Sequence, residues 1–260
     1  MNRFDAAFQQ PGRKSFIPFF TLGDPTRAES MRLIRAAIDA GADAVELGFP
    51  FSDPVTDGPV NQRSMRRSLS SGMTYNGCVE MVREIRALYP DLPIGLLLYC
   101  NLLFKRGERA YAEFAEVGVD AVVCSDLPLE ESGRHCELLD AHGIGCIQMI
   151  APNTPTERAA RLIDGSSAFT YVISRFGTTG PSARFEDDAV HRVARLRELS
   201  DKPLVVGFGI SSKEQVADFW NAGADGVIVG SYFSLLVERN LDDLGVARKE
   251  IDEFVRAVRS

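Results

Sequence analysis

Histidine is scarce in this chain. Its 260 residues hold only His135, His142 and His191, each in a stretch that reads as a helix or a helix end. Positive charge is also short: 29 Lys and Arg against 36 Asp and Glu leave a net −7, which argues against nucleic acid or an anionic membrane as the main partner. An anionic small molecule stays possible, since backbone N–H groups at a helix start hold phosphate without a basic patch. No apolar run approaches the roughly 20 residues of a membrane span. The opening Met1-Asn2-Arg3-Phe4-Asp5 lacks the apolar stretch of a signal peptide. The five cysteines are odd in number and have no C-x-x-C spacing, and Cys100, Cys124 and Cys146 sit in or just after apolar runs. They read as reduced thiols, mostly in the core, and so as those of a cytoplasmic protein; a reactive thiol among them stays open.

What is present is a regular alternation. Short β-rich runs are expected at Phe16–Thr21, Ala44–Gly48, Ile94–Tyr99, Ala121–Ser125, Gly145–Ile150, Thr170–Ile173, Leu204–Gly207 and Gly226–Val229. Each is apolar almost throughout, as in strands buried on both faces of a parallel sheet. Amphipathic stretches such as Arg27–Ala40, Cys78–Leu88, Thr156–Ile163 and Lys213–Ala222 lie between them. One joint repeats three times, as Ala40-Gly41-Ala42-Asp43, Val117-Gly118-Val119-Asp120 and Ala222-Gly223-Ala224-Asp225. In each, glycine ends a helix and a strand follows. Eight βα units without a long linker, in a length near the ~250 residues typical of the fold, predict one (β/α)8-barrel domain over residues 1–260. An open doubly wound sheet is the alternative.

Chemistry in such a barrel belongs at the C-terminal strand ends. After strands 7 and 8 stand Gly207-Phe208-Gly209-Ile210-Ser211-Ser212 and Gly230-Ser231-Tyr232, glycines that let backbone approach an oxyanion, with the Ser231 hydroxyl beside them. This pair of loops predicts a phosphate site. The long Ser174–Ser182 loop reads as a lid that could bring the Gly180 N–H to the phosphate, with Arg175 either a phosphate clamp or a salt-bridge partner of the lid. Glu46 sits among apolar neighbours on strand 2, where burial would raise its pKa toward neutrality. Asp53 and Asp57 follow in a proline-stiffened loop, and the Asp57-Gly58-Pro59 turn could aim Asp57 into the mouth. With no histidine or lysine at a strand end, a zinc or histidine-base hydrolase and a Schiff-base aldolase are disfavoured. Carboxylate acid–base work on a phosphorylated small molecule remains.

The runs Phe16-Ile17-Pro18-Phe19-Phe20-Thr21-Leu22-Gly23-Asp24-Pro25, Glu46 to Pro54 with Asp57-Gly58-Pro59, Asp126-Leu127-Pro128, Tyr171 to Gly180 and Gly207-Phe208-Gly209-Ile210-Ser211 resemble those of tryptophan synthase alpha subunits. The resemblance spans nearly the whole chain. It implies retro-aldol cleavage of indole-3-glycerol phosphate to indole and glyceraldehyde 3-phosphate. It implies Glu46 as the proton-moving glutamate, Asp57 as the aspartate that meets the indole N–H, and Tyr171 as an assisting tyrosine. Gly180, Phe208, Gly209, Gly230 and Ser231 match the family's phosphate grip, and Phe19 and Leu97 the apolar side of its indole pocket. It also implies a pyridoxal-phosphate beta subunit as partner in an alpha2beta2 assembly, touched by the Phe51-Ser52-Asp53-Pro54 loop, with no cofactor in this chain.

Asn61, Ser125 and Thr178 depart from the family pattern by being polar around the indole, and Phe176 by being bulkier. They raise the alternative of a stand-alone lyase, or one accepting a modified ring; otherwise these side chains turn away or bind water. Two further readings stand beside these. Another phosphate-binding barrel, such as an epimerase, would want metal-binding histidines. A non-catalytic subunit that only activates a partner would have lost Glu46 or Asp57.

Overall fold

The computed structural model describes residues 2–9, 12, 14–174 and 183–260, the side chains of 183–188 excepted. Eight parallel strands follow one another around a closed barrel: β1 Ser15–Thr21, β2 Val45–Gly48, β3 Ile94–Leu98, β4 Ala121–Cys124, β5 Gly145–Ile150, β6 Thr170–Ile173, β7 Leu204–Gly207 and β8 Gly226–Val229. The register Ser15↔Gly226 through Pro18↔Val229 joins first strand to last, which excludes the open sheet. Four strands have the expected bounds and four differ by one residue at one end. At β3 the reason is local: Tyr99 leaves the strand to become the N-cap of a helix, Cys100–Arg106.

Side chains sort into two cores. Ile17, Phe19, Leu97, Val123, Ile147, Tyr171, Val205 and Ile228 fill the barrel interior, while the opposite face of each strand packs under the helices, as Leu47, Leu96 and Val206 do. The first helix, Arg3–Phe8, brings Phe4 against Phe169 at 5.3 Å, closing the barrel at the N-terminal strand ends.

The repeated joint has a structural cause. Its aspartate accepts from the backbone N–H that opens a neighbouring strand: Asp43 from Phe16, Asp120 from Ile94 and Asp225 from Leu204, at 2.8–2.9 Å. Each carboxylate also pairs with a helix arginine, respectively Arg259, Arg86 and Arg197. Arg86 and Arg197 donate in addition to the carbonyls of the joint glycines, Gly118 and Gly223. One acidic residue per joint thus satisfies a strand end and anchors the helix beside it. A second bracket ties the C-terminal face together. Arg67, on helix Pro59–Ser70, grips Asp24 through two bonds of 2.7 and 2.8 Å and reaches Glu238 on helix Ser231–Arg239 at 3.1 Å.

One expectation fails here. Cys136 and Cys146 form a disulfide rather than staying reduced: helix Gly133–Ala141 packs on β5 and brings their Cα atoms to 5.5 Å. Cys78, Cys100 and Cys124 are free. Among the described residues no helix is long and apolar enough to cross a membrane.

Asp120 is 4% exposed and holds two arginines and a strand N–H. Asp120→Ala leaves that N–H without its acceptor and the half-buried Arg86 without its counter-charge. It is expected to cost about 3 kcal/mol in urea unfolding, whereas removal of an exposed pair such as Arg134–Glu108 should leave the urea midpoint nearly unchanged.

Candidate active site

The C-terminal strand ends surround a cavity of about 550 Å³ lined by Phe19, Glu46, Asp57, Leu97, Tyr171, Phe208, Gly209, Gly230 and Ser231, among others. Its shape depends on missing side chains. A Cβ at Gly48 or Gly230 would come within 2.7 or 2.6 Å of the Phe19 ring, and one at Gly207 within 2.2 Å of the Tyr171 hydroxyl. Glycines at the ends of β2, β7 and β8 therefore make room for two aromatic rings inside the barrel mouth.

Glu46 projects inward from β2, in register with Phe19 of β1. It is 2% exposed, and neither carboxylate oxygen has a hydrogen-bond partner among the described residues. Burial first, and then the charge of Asp57, pushes its pKa from 4.5 up to about 8, so the acid form persists at neutral pH.

Asp57 is also buried but is treated differently. The Tyr99 hydroxyl donates to one oxygen at 2.5 Å and the Asn61 amide to the other at 3.1 Å. Burial raises the pKa of Asp57, and these two donors act against that rise. Its backbone is held as well, since the Gln62 amide donates to the Asp57 carbonyl at 2.8 Å. Helix Pro59–Ser70 begins just beyond it, with Gly58 as N-cap and Pro59 in the first turn, so the positive helix end faces this carboxylate. Tyr171, on β6, is 3% exposed; burial and the nearby charges of Glu46 and Asp57 keep its phenol protonated well beyond neutral pH.

At the opposite wall, Phe208 takes a left-handed φ of 76° and Gly209 follows at 77°. Phe208 is the one non-glycine with positive φ among the described residues, a conformation that costs roughly 1–3 kcal/mol. The Ser174 hydroxyl donates to the Gly207 and Phe208 carbonyls and pins the turn. Helix Ser231–Arg239 starts at Gly230 without a side-chain cap, so its first N–H groups and the Ser231 hydroxyl are available to an anion. No lysine, arginine or histidine is among the described lining residues. This end of the cavity can hold a phosphoryl group through amides and a hydroxyl.

Two polar positions flagged in the sequence are engaged elsewhere. Asn61 turns to Asp57. Ser125 accepts from Thr56 at 3.0 Å and borders an adjoining cavity with Cys124 and Asp126. Thr178, Gly180, Arg175 and Phe176 lie outside the described residues. Sequence reasoning missed Tyr99, which is fully buried, stacks on Phe51 at 5.0 Å and reaches Thr56 as well as Asp57. The available signal was a tyrosine closing an apolar strand, a residue whose hydroxyl needs a partner once buried.

A family model described as tryptophan synthase alpha chain matches residues 5–260. The chain belongs to the tryptophan synthase alpha chain family. It is 40% identical to the alpha chain of Shewanella oneidensis over 263 residues, covering 100% of this chain and 95% of that one. It is 41% identical to that of an Enterobacter species over 264 residues, covering 100% and 98%. Among solved structures, the alpha subunit of Legionella pneumophila superposes with a TM-score of 0.88 at 28% identity, covering 100% of this chain and 97% of that one. A chain of the tryptophan synthase a2b2 complex from Pyrococcus furiosus gives 0.87 at 33% identity, covering 95% and 98%.

For this alpha chain the naked carboxyl of Glu46 has a measurable consequence. Between 4.5 and about 8 the native state keeps a proton that the unfolded state has lost, so Glu46 makes stability fall as pH rises through that window. Glu46→Gln removes the effect. Its unfolding free energy is expected to gain on the wild type from pH 5 to pH 8, by on the order of 4 kcal/mol. Equal pH dependence in the two proteins would show that Glu46 titrates normally.

Proposed function

We propose that this chain is the lyase subunit of a tryptophan synthase and cleaves indole-3-glycerol phosphate to indole and glyceraldehyde 3-phosphate. The observation that carries the reading is the pair of unequal buried carboxyls, Glu46 without partners and Asp57 with two donors, in one cavity with an uncapped helix start. Glu46 gives its proton to indole C3, and the positive charge that develops on the ring is delocalised onto nitrogen. Asp57 accepts the indole N–H and opposes that charge. Glu46, now a carboxylate, takes the proton from the hydroxyl on the carbon attached to C3. The C–C bond breaks, its electron pair returns to the ring and the aldehyde forms. One proton is delivered and one recovered, so Glu46 ends as it began. Tyr171, held neutral, is the assisting donor beside Glu46. Phe208, Gly209, Gly230 and Ser231 hold the phosphate, and Phe19 and Leu97 enclose the ring.

The chain supplies this chemistry from its own side chains. Pyridoxal phosphate belongs to the beta subunit with which this chain forms an alpha2beta2 assembly. The docking face is the barrel mouth around Phe51–Pro54, where the adjoining Val55 is 78% exposed.

Mixing the purified protein with indole-3-glycerol phosphate is expected to release indole. Glu46→Gln should lower kcat at least about 10³-fold and Asp57→Asn about 10²-fold. The plot of kcat/KM against pH should fall as pH rises through about 8, where Glu46 loses its proton. Absence of indole from the wild type, or full activity of Glu46→Gln, refutes the assignment.

A further inference from the structure

Asn61 is an odd residue to find beside an apolar ring pocket. Its amide nitrogen bonds Asp57, while its amide oxygen is buried with no partner among the described residues. The orientation is not arbitrary, because an ionised carboxylate can only accept, so the nitrogen must face it. An amide that satisfies one half of itself and leaves the other half dry contributes little to stability. What it does provide is a donor to the one Asp57 oxygen that Tyr99 does not reach.

The local backbone aims it. Asn61 lies four residues after Asp57, in the first turn of helix Pro59–Ser70, so its side chain folds back over the turn that carries Asp57. The neighbouring Gln62 fixes the Asp57 carbonyl from the same turn. Among the described residues, the charged and titratable groups that face Asp57 are Glu46 from β2, Tyr99 from the end of β3 and Tyr171 from β6. None of these is a cation, so within that set the charge on Asp57 depends on neutral donors and on the helix end.

We propose that Asn61 is a positioning residue, which holds Asp57 as a charged, fixed acceptor and acts on the reaction through that carboxylate rather than on the substrate. Tyr99 secures one oxygen, Asn61 the other. The charge so maintained adds to burial in keeping the proton on Glu46. In this reading the polar residue is not a sign of a modified ring substrate.

The test replaces Asn61 by leucine, similar in size and without a donor. In carboxyl-¹³C-aspartate-labelled protein, the Asp57 signal is identified by its absence from Asp57→Asn and titrated in both proteins. Asn61→Leu is expected to raise the Asp57 midpoint by about one pH unit; an unchanged midpoint overturns the proposal. Thermal unfolding at neutral pH should show Asn61→Leu only slightly less stable than the wild type, by no more than the weakened hold on the Asp57 charge. A large loss of stability would instead mark a structural role and overturn it. The kinetic consequence rests on the lyase reading above, whereas the titration does not. With indole-3-glycerol phosphate, the acidic limb of kcat/KM should move up by the same amount as the midpoint, so activity falls up to about tenfold on the acid side of that limb, and KM should change little. In the Asp57→Asn background the same substitution should have no further effect. A tenfold loss that persists there would mean Asn61 acts on the substrate directly. A wild type that releases no indole while the Asp57 midpoint still shifts would refute the substrate and leave the role of Asn61 standing.

Discussion

The hydrogen bond from Tyr99 to Asp57, completed on the other oxygen by Asn61, is the constraint on which the site depends. Two carboxyl groups buried in one cavity cannot both ionise at small cost, and their surroundings decide which one does. Asp57 has two neutral donors and a helix start; Glu46 has neither. The proton stays on the second, and the two donors favour charge on the first against the rise that burial causes. The division needs no metal ligand and no cationic lining residue. It needs only that one carboxyl be solvated by the protein and the other be left bare.

The barrel makes that inequality geometrically possible. Strand side chains alternate between the interior and the helix layer, so β2 can offer a single inward glutamate between Val45 and Leu47, both of which pack outward. Asp57 comes instead from the loop after β2, beyond the strand end, where a turn and the first residues of a helix supply donors. Glycines at three strand ends yield their space to Phe19 and Tyr171. The Arg67 bracket then joins the helix that carries Asn61 to the helix whose start would meet the phosphate. Both halves of the cavity are set against a common ion pair.

Such a site is costly to hold. A bare buried carboxyl, a left-handed phenylalanine and an uncapped helix start are each unfavourable in the absence of ligand. The opposite end of the barrel carries the compensating order. There Asp43, Asp120 and Asp225 satisfy strand ends and anchor helix arginines in three copies of one arrangement. Stability is concentrated at the N-terminal face and chemistry at the C-terminal face, the division expected of this fold.

Much of this was legible in the chain before any coordinates. Apolar runs alternating with amphipathic ones state the strand order directly, because a parallel barrel buries both faces of every strand and connects neighbours in sequence. Glu46 stood out for the same reason, as an acid inside a run that has to be dry, and the glycines after β7 and β8 marked the backbone approach to an anion. Tertiary structure alone decided what each polar group would meet. Tyr99 and Asp57 are 42 residues apart, and Thr56 and Ser125 are 69. No local pattern reports a contact between the ends of different strands. Asn61 read as a misfit against a ring until its bond to Asp57 was seen, and Cys136 and Cys146 read as separate thiols until a helix was laid on its strand. Periodicity records which face of an element is buried; the partner waiting there is set only when the barrel closes.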